Sequence, residues 1–474
     1  MKLKKTLAAL ATAGTGLSLA TVGSVAPASA ASAAPPYGYG FNAQIITGGG
    51  SDTTYKAMIA ISDLYNTASV AGCVAQTDAV TPPPAINQCR STVAPTEVNA
   101  NFERDTVAQA SPAGSSSGIA SLNADAVIGG VNVAQNYPYA GASSPGQALD
   151  FARSSRAPKI TGGNCAGGNE LTCDTFWGFA EDGVEVFGFG SHGGINLNRD
   201  QLIGIYMCQF RTWGDVLGNG DTQPIVPWGM NPASGTFATF NAFLGFNVNT
   251  KLSASPYPTV PPAPNSNCVR QLSTNVPPFE NDVKPLFADV EKTSGFTAGG
   301  VNDPNNWLWF GSFGLLSAFP YDNNFTTTAP SPPAPFPPGT VFSGSPDSVN
   351  SVFPSTSSIF GLTYPIARTL YHVTAKSAAD CAPTGPCDLT GGPTVNGAAG
   401  PVDDVNVIGA TGGTGGAVRE FTRFLCRKSG AQDPVDPFSG TNLFSEENAA
   451  KSGSGFTAVP ISLRATGSSC QVMH

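Results

Sequence analysis

The sequence predicts an α/β protein on three observations. Short apolar, strand-like runs alternate with helical patterns, small-residue turns recur at the starts of those helices, and proline-rich stretches interrupt the alternation without a fixed period. The first element is a short strand, Ala43-Gln44-Ile45-Ile46, expected to break at Thr47 and Gly48-Gly49-Gly50. Ser51-Asp52-Thr53-Thr54 then opens a helix to about Tyr65, with Met58, Ile59, Ile61 and Leu64 as its apolar positions and Asp52 or Ser51 as N-cap. Gly114-Ser115-Ser116-Ser117-Gly118 leads into a helix through Ile119 and Leu122, and Asn198 caps a helix from Arg199 to about Gln209. Ile225-Val226 runs through a loop to Ala233-Ser234-Gly235-Thr236, followed by a helix through Phe237, Phe240, Phe243 and Leu244. Tyr371-His372-Val373 is a strand with a packed histidine, and Ala417 to Lys428 is a helix with Val418, Phe421, Phe424 and Leu425 at helical spacing. The proline-rich stretches 81–84, 256–264 and 330–338 are surface loop insertions. Thr411–Gly416 lacks the Lys-Ser/Thr ending of a phosphate-binding P-loop and is a flexible connection.

Composition narrows the function classes. The 474 residues include 55 Gly and 40 Pro, and only 12% are charged, against about a quarter in an ordinary soluble protein. The net charge of −9 removes the electrostatic footprint of a nucleic-acid binder. The 41% apolar content is enough for a core, which argues against global disorder. Lys2, Lys4 and Lys5, an apolar run from Leu7 to Val25 and then Ala28-Ser29-Ala30 have the layout of a secretory signal peptide over residues 1–30. The expected product is exported, acidic and without a membrane span once that segment is removed, and it remains secreted or associated with the cell surface. Ten cysteines suit an oxidising compartment. Sequence proximity pairs Cys73 with Cys89, Cys165 with Cys173 and Cys381 with Cys387, and elimination leaves Cys208–Cys268 and Cys426–Cys470. A metal centre is not expected, because no CxxC occurs and His192, His372 and His474 are scattered. No cofactor is expected either.

Three turns carry hydroxyls and free backbone N–H groups at helix starts: Gly50-Ser51-Asp52-Thr53, Gly114-Ser115-Ser116-Ser117 and Ala233-Ser234-Gly235-Thr236. A helix N-terminus binds anions without a positively charged protein around it. A fourth segment, Asp150–Arg156, adds Arg153 and Arg156, guanidiniums suited to oxyanions. Ligands in α/β folds gather at strand ends, so four such segments point to one shared site.

These pieces resemble, in order, the phosphate-binding solute-receptor family of ABC importers. The matching segments are Thr47–Thr53, Gly114–Gly118, Leu149–Ser155, Leu197–Tyr206 with Thr212-Trp213, and Pro224-Ile225 through Ser234-Gly235-Thr236. The resemblance implies a two-lobed, periplasmic-binding-protein-like fold of type II, with a hinge and Pro/Gly-rich loop insertions. One lobe would be residues 40–160 plus 355–474 and the other 161–354. It implies a small, phosphate-like oxyanion as ligand, an ABC permease as a possible partner, and a monomeric state. The family's anion contacts fall on Asp52, Thr53, Ser115, Ser155, Met230, Ser234, Gly235 and Thr236, with Ser116 and Arg153 as further candidates. Three positions depart from the family pattern: Asp52 stands where it has Thr, Ser155 where it has Asp, and Met230 where it has Arg. Arg153 or Arg156 would then supply the missing guanidinium.

Two other readings compete. Gly114–Gly118 formally matches GxSxG, which would make Ser116 the nucleophile of a serine hydrolase with His192 or His372 as base. That elbow requires an apolar strand directly before it, whereas Ala110-Ser111-Pro112-Ala113 precedes this turn, so no enzyme is expected. The other reading is a secreted structural or adhesive protein on the same fold without a small ligand.

Overall fold

The computed structural model describes residues 45–67, 73–75, 102–104, 106–123, 127–128, 131–132, 149–255, 263, 265–280, 289–290, 295–318, 326–328, 341–375, 421–422, 424–426, 443–465 and 468–473. The segment 1–30, Thr411–Gly416 and the stretches 81–84 and 330–338 lie outside these residues, as do Cys89, Cys381 and Cys387 and with them two of the expected cysteine pairs.

Among the described residues ten strands form one mixed sheet. In chain order they are β1 (Ile45–Gly50), β2 (Thr106–Gln109), β3 (Phe151–Ser154), β4 (Asp174–Phe189), β5 (Val226–Pro227), β6 (Trp307–Ser312), β7 (Thr326–Thr328), β8 (Val341–Pro346), β9 (Ala367–Ala375) and β10 (Gln471–Met473). The path across the sheet runs β5-β6-β4-β9-β3-β1-β2, with β8 and β10 also on β4 and β7 beside β8. β1 lies parallel to both β2 and β3, while β9 runs antiparallel to β3 and β4.

The spine is β4, buried along all 16 residues. Its first ten residues, Asp174–Gly183, pair with β9, and Val184–Gly188 pair with β6. The sheet therefore has two halves that share one strand and meet between Asp182 and Val184. A buried cluster of Val184, Val186, Leu308 and Phe310 with Leu202, Ile205, Phe237 and Phe240 covers the second half. Ala57, Met58, Ile61 and Tyr65 cluster with Val107, Phe151, Phe421 and Phe424 against the first.

Helices follow the local signals. They include α1 (Tyr55–Thr67), α2 (Ser115–Asn123), α3 (Arg199–Tyr206), α4 (Trp213–Leu217) and α5 (Gly235–Leu244). Asn198 caps α3 in a capping box with Gln201, and Cys208 in the left-handed region (φ 61°) stops the chain short of the expected Gln209. The serines expected to form a turn before α2 are its first residues. Phe421, Thr422, Phe424 and Leu425 are helical, as their spacing predicts.

The expected break at the glycine triplet is not what the structure has: Gly48, Gly49 and Gly50 continue β1. The reason is steric. A Cβ on Gly48 would lie 2.1 Å from the Phe151 ring on β3, so the strand needs a residue without a side chain there. Disulfides join Cys165–Cys173, Cys208–Cys268 and Cys426–Cys470. Among the described residues no helix is long and apolar enough to cross a membrane.

Candidate functional site

The polar turns converge where the two halves of the sheet meet. β1 delivers Ser51 and Thr53, the start of α2 delivers Ser115, and the end of β3 delivers Ser155. Ser234 and Thr236 come from the start of α5. All six are buried. Ser234 is the N-cap of α5, its Oγ accepting from the N–H groups of Thr236 (3.1 Å) and Phe237 (3.5 Å).

The Ser51 hydroxyl donates to Ser155 Oγ at 3.0 Å. The hydroxyls of Ser115 and Ser155 are 3.2 Å apart, and the Ser155 N–H donates to Ser115 Oγ at 3.0 Å. The hydroxyls of Thr53 and Thr236 lie 3.5 Å apart although 183 residues separate them in sequence. Gly235 lies against the first group: a Cβ there would be 2.3 Å from Ser155 Oγ and 2.6 Å from Ser115 Oγ. The absence of a side chain lets α5 come this close. The Ser116 N–H, donating to the Ala233 carbonyl at 3.2 Å, ties the α2 turn to the α5 turn.

Two charged residues complete the cluster, and neither belongs to the polar turns. Arg368, on β9, donates through Nη1 to Thr236 Oγ1 (2.8 Å) and the Ser155 carbonyl (3.1 Å), and through Nη2 to Thr53 Oγ1 (3.4 Å). It is held by Asp182, its register partner on β4, whose Oδ2 accepts from Nε at 3.0 Å and Nη2 at 2.7 Å. Asp182 also accepts from the Ser312 hydroxyl and the Gly314 N–H, so this buried carboxylate is well supplied with donors. Glu280 is fully buried, and its two oxygens accept separately: Oε1 from the Thr53 hydroxyl and Oε2 from the Ser234 hydroxyl at 2.8 Å. Next to Asp182 on β4, burial pushes the Glu181 carboxyl up to about 7 despite a hydrogen bond from the Thr369 hydroxyl at 2.8 Å.

The remaining candidates sit differently. Arg153 is fully buried behind the turns. Its guanidinium donates to the carbonyls of Gly48 (2.9 Å), Ala110 (3.1 Å) and Ser51 (3.3 Å) and to Gln109 Oε1 (2.6 Å). Arg156 forms a two-pronged pair with Glu170 at 2.7 and 2.8 Å. Met230 is buried in the core of the second half. Asp52 is half-buried, and its carbonyl accepts from the Tyr55 N–H at the head of α1.

Both described histidines are engaged elsewhere. His192 is stacked on Trp213 and bonds the Asn305 carbonyl (2.7 Å) and Asp221 (3.0 Å). His372 bonds the Thr422 hydroxyl at 2.8 Å, and burial pushes its imidazole down to about 3. The trio Cys165, Cys173 and Asp174 lies close enough to ligate a metal, but its two sulfurs are joined in a disulfide.

Arg368 and Glu280 escape a motif reading. The available signal was modest: an arginine inside the apolar strand run Ala367–Ala375, and a carboxylate directly after Pro277-Pro278-Phe279 in a chain poor in charge.

No family model matches the chain, and no curated protein matches it. Among solved structures it is similar to PfluDING, a high-affinity periplasmic phosphate-binding protein bound with phosphate. That match has 13% identity and a TM-score of 0.43, covering 88% of this chain and 91% of that one. It is also similar to an ABC-type phosphate transport receptor from Vibrio cholerae, at 18% identity and TM-score 0.34, over 69% of this chain and 86% of that one. A phosphate-binding protein from Stenotrophomonas maltophilia matches at 15% identity and TM-score 0.33, over 72% and 80%.

Proposed function

We propose that this chain is an exported, monomeric solute receptor that closes two lobes on a small oxyanion of the phosphate class. The lobes would be residues 40–160 with 355–474, and residues 161–354, and an ABC permease would be the acceptor of the captured solute. The observation that carries this reading is the buried meeting of six hydroxyls from turns far apart in sequence with one guanidinium from β9. Hydroxyls and helix N-termini are donors suited to oxyanions, and exclusion of water strengthens each hydrogen bond they make. The guanidinium role falls to Arg368, since Arg153 and Arg156 are taken up by carbonyls and by Glu170.

Closure would be carried by the approach of the α5 turn to the α2 and β3 turns, where Ser116 meets Ala233 and Gly235 meets Ser115 and Ser155. Ser234, Gly235 and Thr236 act from one side. Thr53, Ser115 and Ser155 act from the other.

Isothermal calorimetry against inorganic phosphate, sulfate and a panel of neutral polar solutes tests the reading. Micromolar phosphate binding that Ser234→Ala weakens about tenfold is the expected result, the loss of one charge-assisted hydrogen bond. Heat from a neutral solute with none from any anion would remove the oxyanion and leave a receptor. A second reading, a closed protein without a small ligand, is favoured by Glu280, which already accepts from Thr53 and Ser234. Silence toward every solute by folded protein is its signature.

A further inference from the structure

We propose that Glu280 is an internal ligand: without solute its carboxylate occupies the oxyanion donors and joins the lobes, and an incoming oxyanion displaces it. The proposal rests on the receptor reading above and adds a specificity residue to the same site.

The geometry of the carboxylate is that of a bound oxyanion. Its two oxygens are shared between two turns, Oε1 taking the Thr53 hydroxyl beside β1 and Oε2 the Ser234 hydroxyl at the cap of α5. Those hydroxyls are 181 residues apart in the chain, on opposite sides of the seam, so this one side chain bridges the gap that a solute would bridge. It also sits at the N-terminal end of a ten-residue helix, where the aligned peptide dipoles favour negative charge. A buried carboxylate is costly without donors, and here the donors are the ones the receptor reading assigns to the solute.

The delivery of Glu280 is equally specific. Pro277 and Pro278 are consecutive and buried, which fixes φ at both positions. The Asn231 N–H donates to the Pro278 carbonyl at 2.8 Å, pinning this segment to the loop that leads into Ser234. Glu280 thus competes from a short tether, at the high effective concentration of an intramolecular group. Yet its hold is exchangeable. Among the described residues the carboxylate is held by hydroxyls rather than by an ion pair, and Arg368 is paired with Asp182 instead. An oxyanion that offers several acceptor oxygens to Thr53, Ser234 and Arg368 has more to gain there than one carboxylate does.

The apparent affinity of such a site is the intrinsic affinity reduced by the fraction of molecules in which Glu280 has withdrawn. Glu280→Ala and Glu280→Gln, each checked for folding by thermal melting, are titrated with inorganic phosphate and sulfate beside the wild type. Small-angle scattering of the solute-free proteins is recorded in parallel.

At least about tenfold tighter phosphate binding by Glu280→Ala is expected, the gain if the withdrawn state is populated at one part in ten or less. Its solute-free radius of gyration should exceed that of the wild type and fall on adding phosphate. Should Glu280→Ala be poorly folded, Glu280→Gln carries the test, with a smaller gain because the amide keeps one acceptor. Unchanged or weaker phosphate binding by folded variants, with wild type binding normally, overturns the internal ligand and leaves the receptor reading standing. An unchanged solute-free radius of gyration overturns it too. If wild type and variants alike bind neither anion, the oxyanion reading fails and the internal ligand falls with it.

Discussion

Two adjacent ladders of the sheet carry a buried arginine each, and the contrast between them separates scaffold from site. On the β3–β9 ladder, Arg153 stands opposite His372. Its guanidinium is taken up by three backbone carbonyls and Gln109, while the histidine packs against Phe151 and Phe421 and bonds Thr422. On the β4–β9 ladder, Arg368 stands opposite Asp182, with Thr369 opposite Glu181. There most partners are side chains: Asp182, Thr236 and Thr53, with a single carbonyl from Ser155. Backbone carbonyls cannot be exchanged without moving a strand, whereas hydroxyls rotate. Both arginines are buried, but under the proposed function only the second would trade partners with a solute.

The contrast can be broken most forcefully at Arg153. Arg153→Met takes the guanidinium from Gln109 Oε1 and from the carbonyls of Ala110, Gly48 and Ser51, of which Gly48 keeps the Ala110 N–H and Ser51 the Thr54 hydroxyl, and a loss of about 3–5 kcal/mol in urea unfolding is expected. Failure of that variant to differ from wild type would erase the scaffold role.

On the same ladder, His372 is neutral in the fold with its imidazole near 3, while the unfolded chain protonates near 6.5. Its contribution is therefore complete above about pH 6.5 and is lost as pH falls toward 3, costing about 3 kcal/mol at pH 4. His372→Phe should flatten that acid limb in urea titrations run between pH 4 and 7.

The β4–β9 ladder has the opposite sign. Glu181 titrates near 7 in the fold and 4.5 unfolded, so its penalty is absent below about pH 4.5 and grows until about pH 7. Glu181→Gln keeps an acceptor for Thr369 and should gain about 1–3 kcal/mol over wild type at pH 8, with the difference vanishing near pH 4.

The smallest expected change in free energy is at the arginine of the site. Arg368→Lys can still meet Asp182 but has no planar fork for Thr236 and Thr53, so phosphate affinity should fall about tenfold, or about 1.4 kcal/mol. Equal affinity by calorimetry would move the oxyanion contact away from Arg368.

Local chemistry was readable because it is local. A serine before a helical pattern caps it whatever surrounds it, so Ser234 and Asn198 are found by inspection. Cysteines eight residues apart, Cys165 and Cys173, close a loop by proximity alone. Long-range partnerships left weaker traces. Arg153 and Arg368 are alike as letters, and their roles differ only through what the sheet places around each guanidinium. The glycine triplet misled for the same reason: Gly48 is in a strand because Phe151, about a hundred residues on, needs its space.

The sequence by itself determined the α/β alternation, the hydroxyl-bearing helix starts and the local Cys165–Cys173 pair, all set by neighbours within a few positions. Tertiary structure alone decided which arginine faces the hydroxyls, that β4 serves both halves of the sheet, and that Glu280 occupies their meeting point. Charge in a buried site takes its meaning from partners, and those partners lie up to 315 residues away.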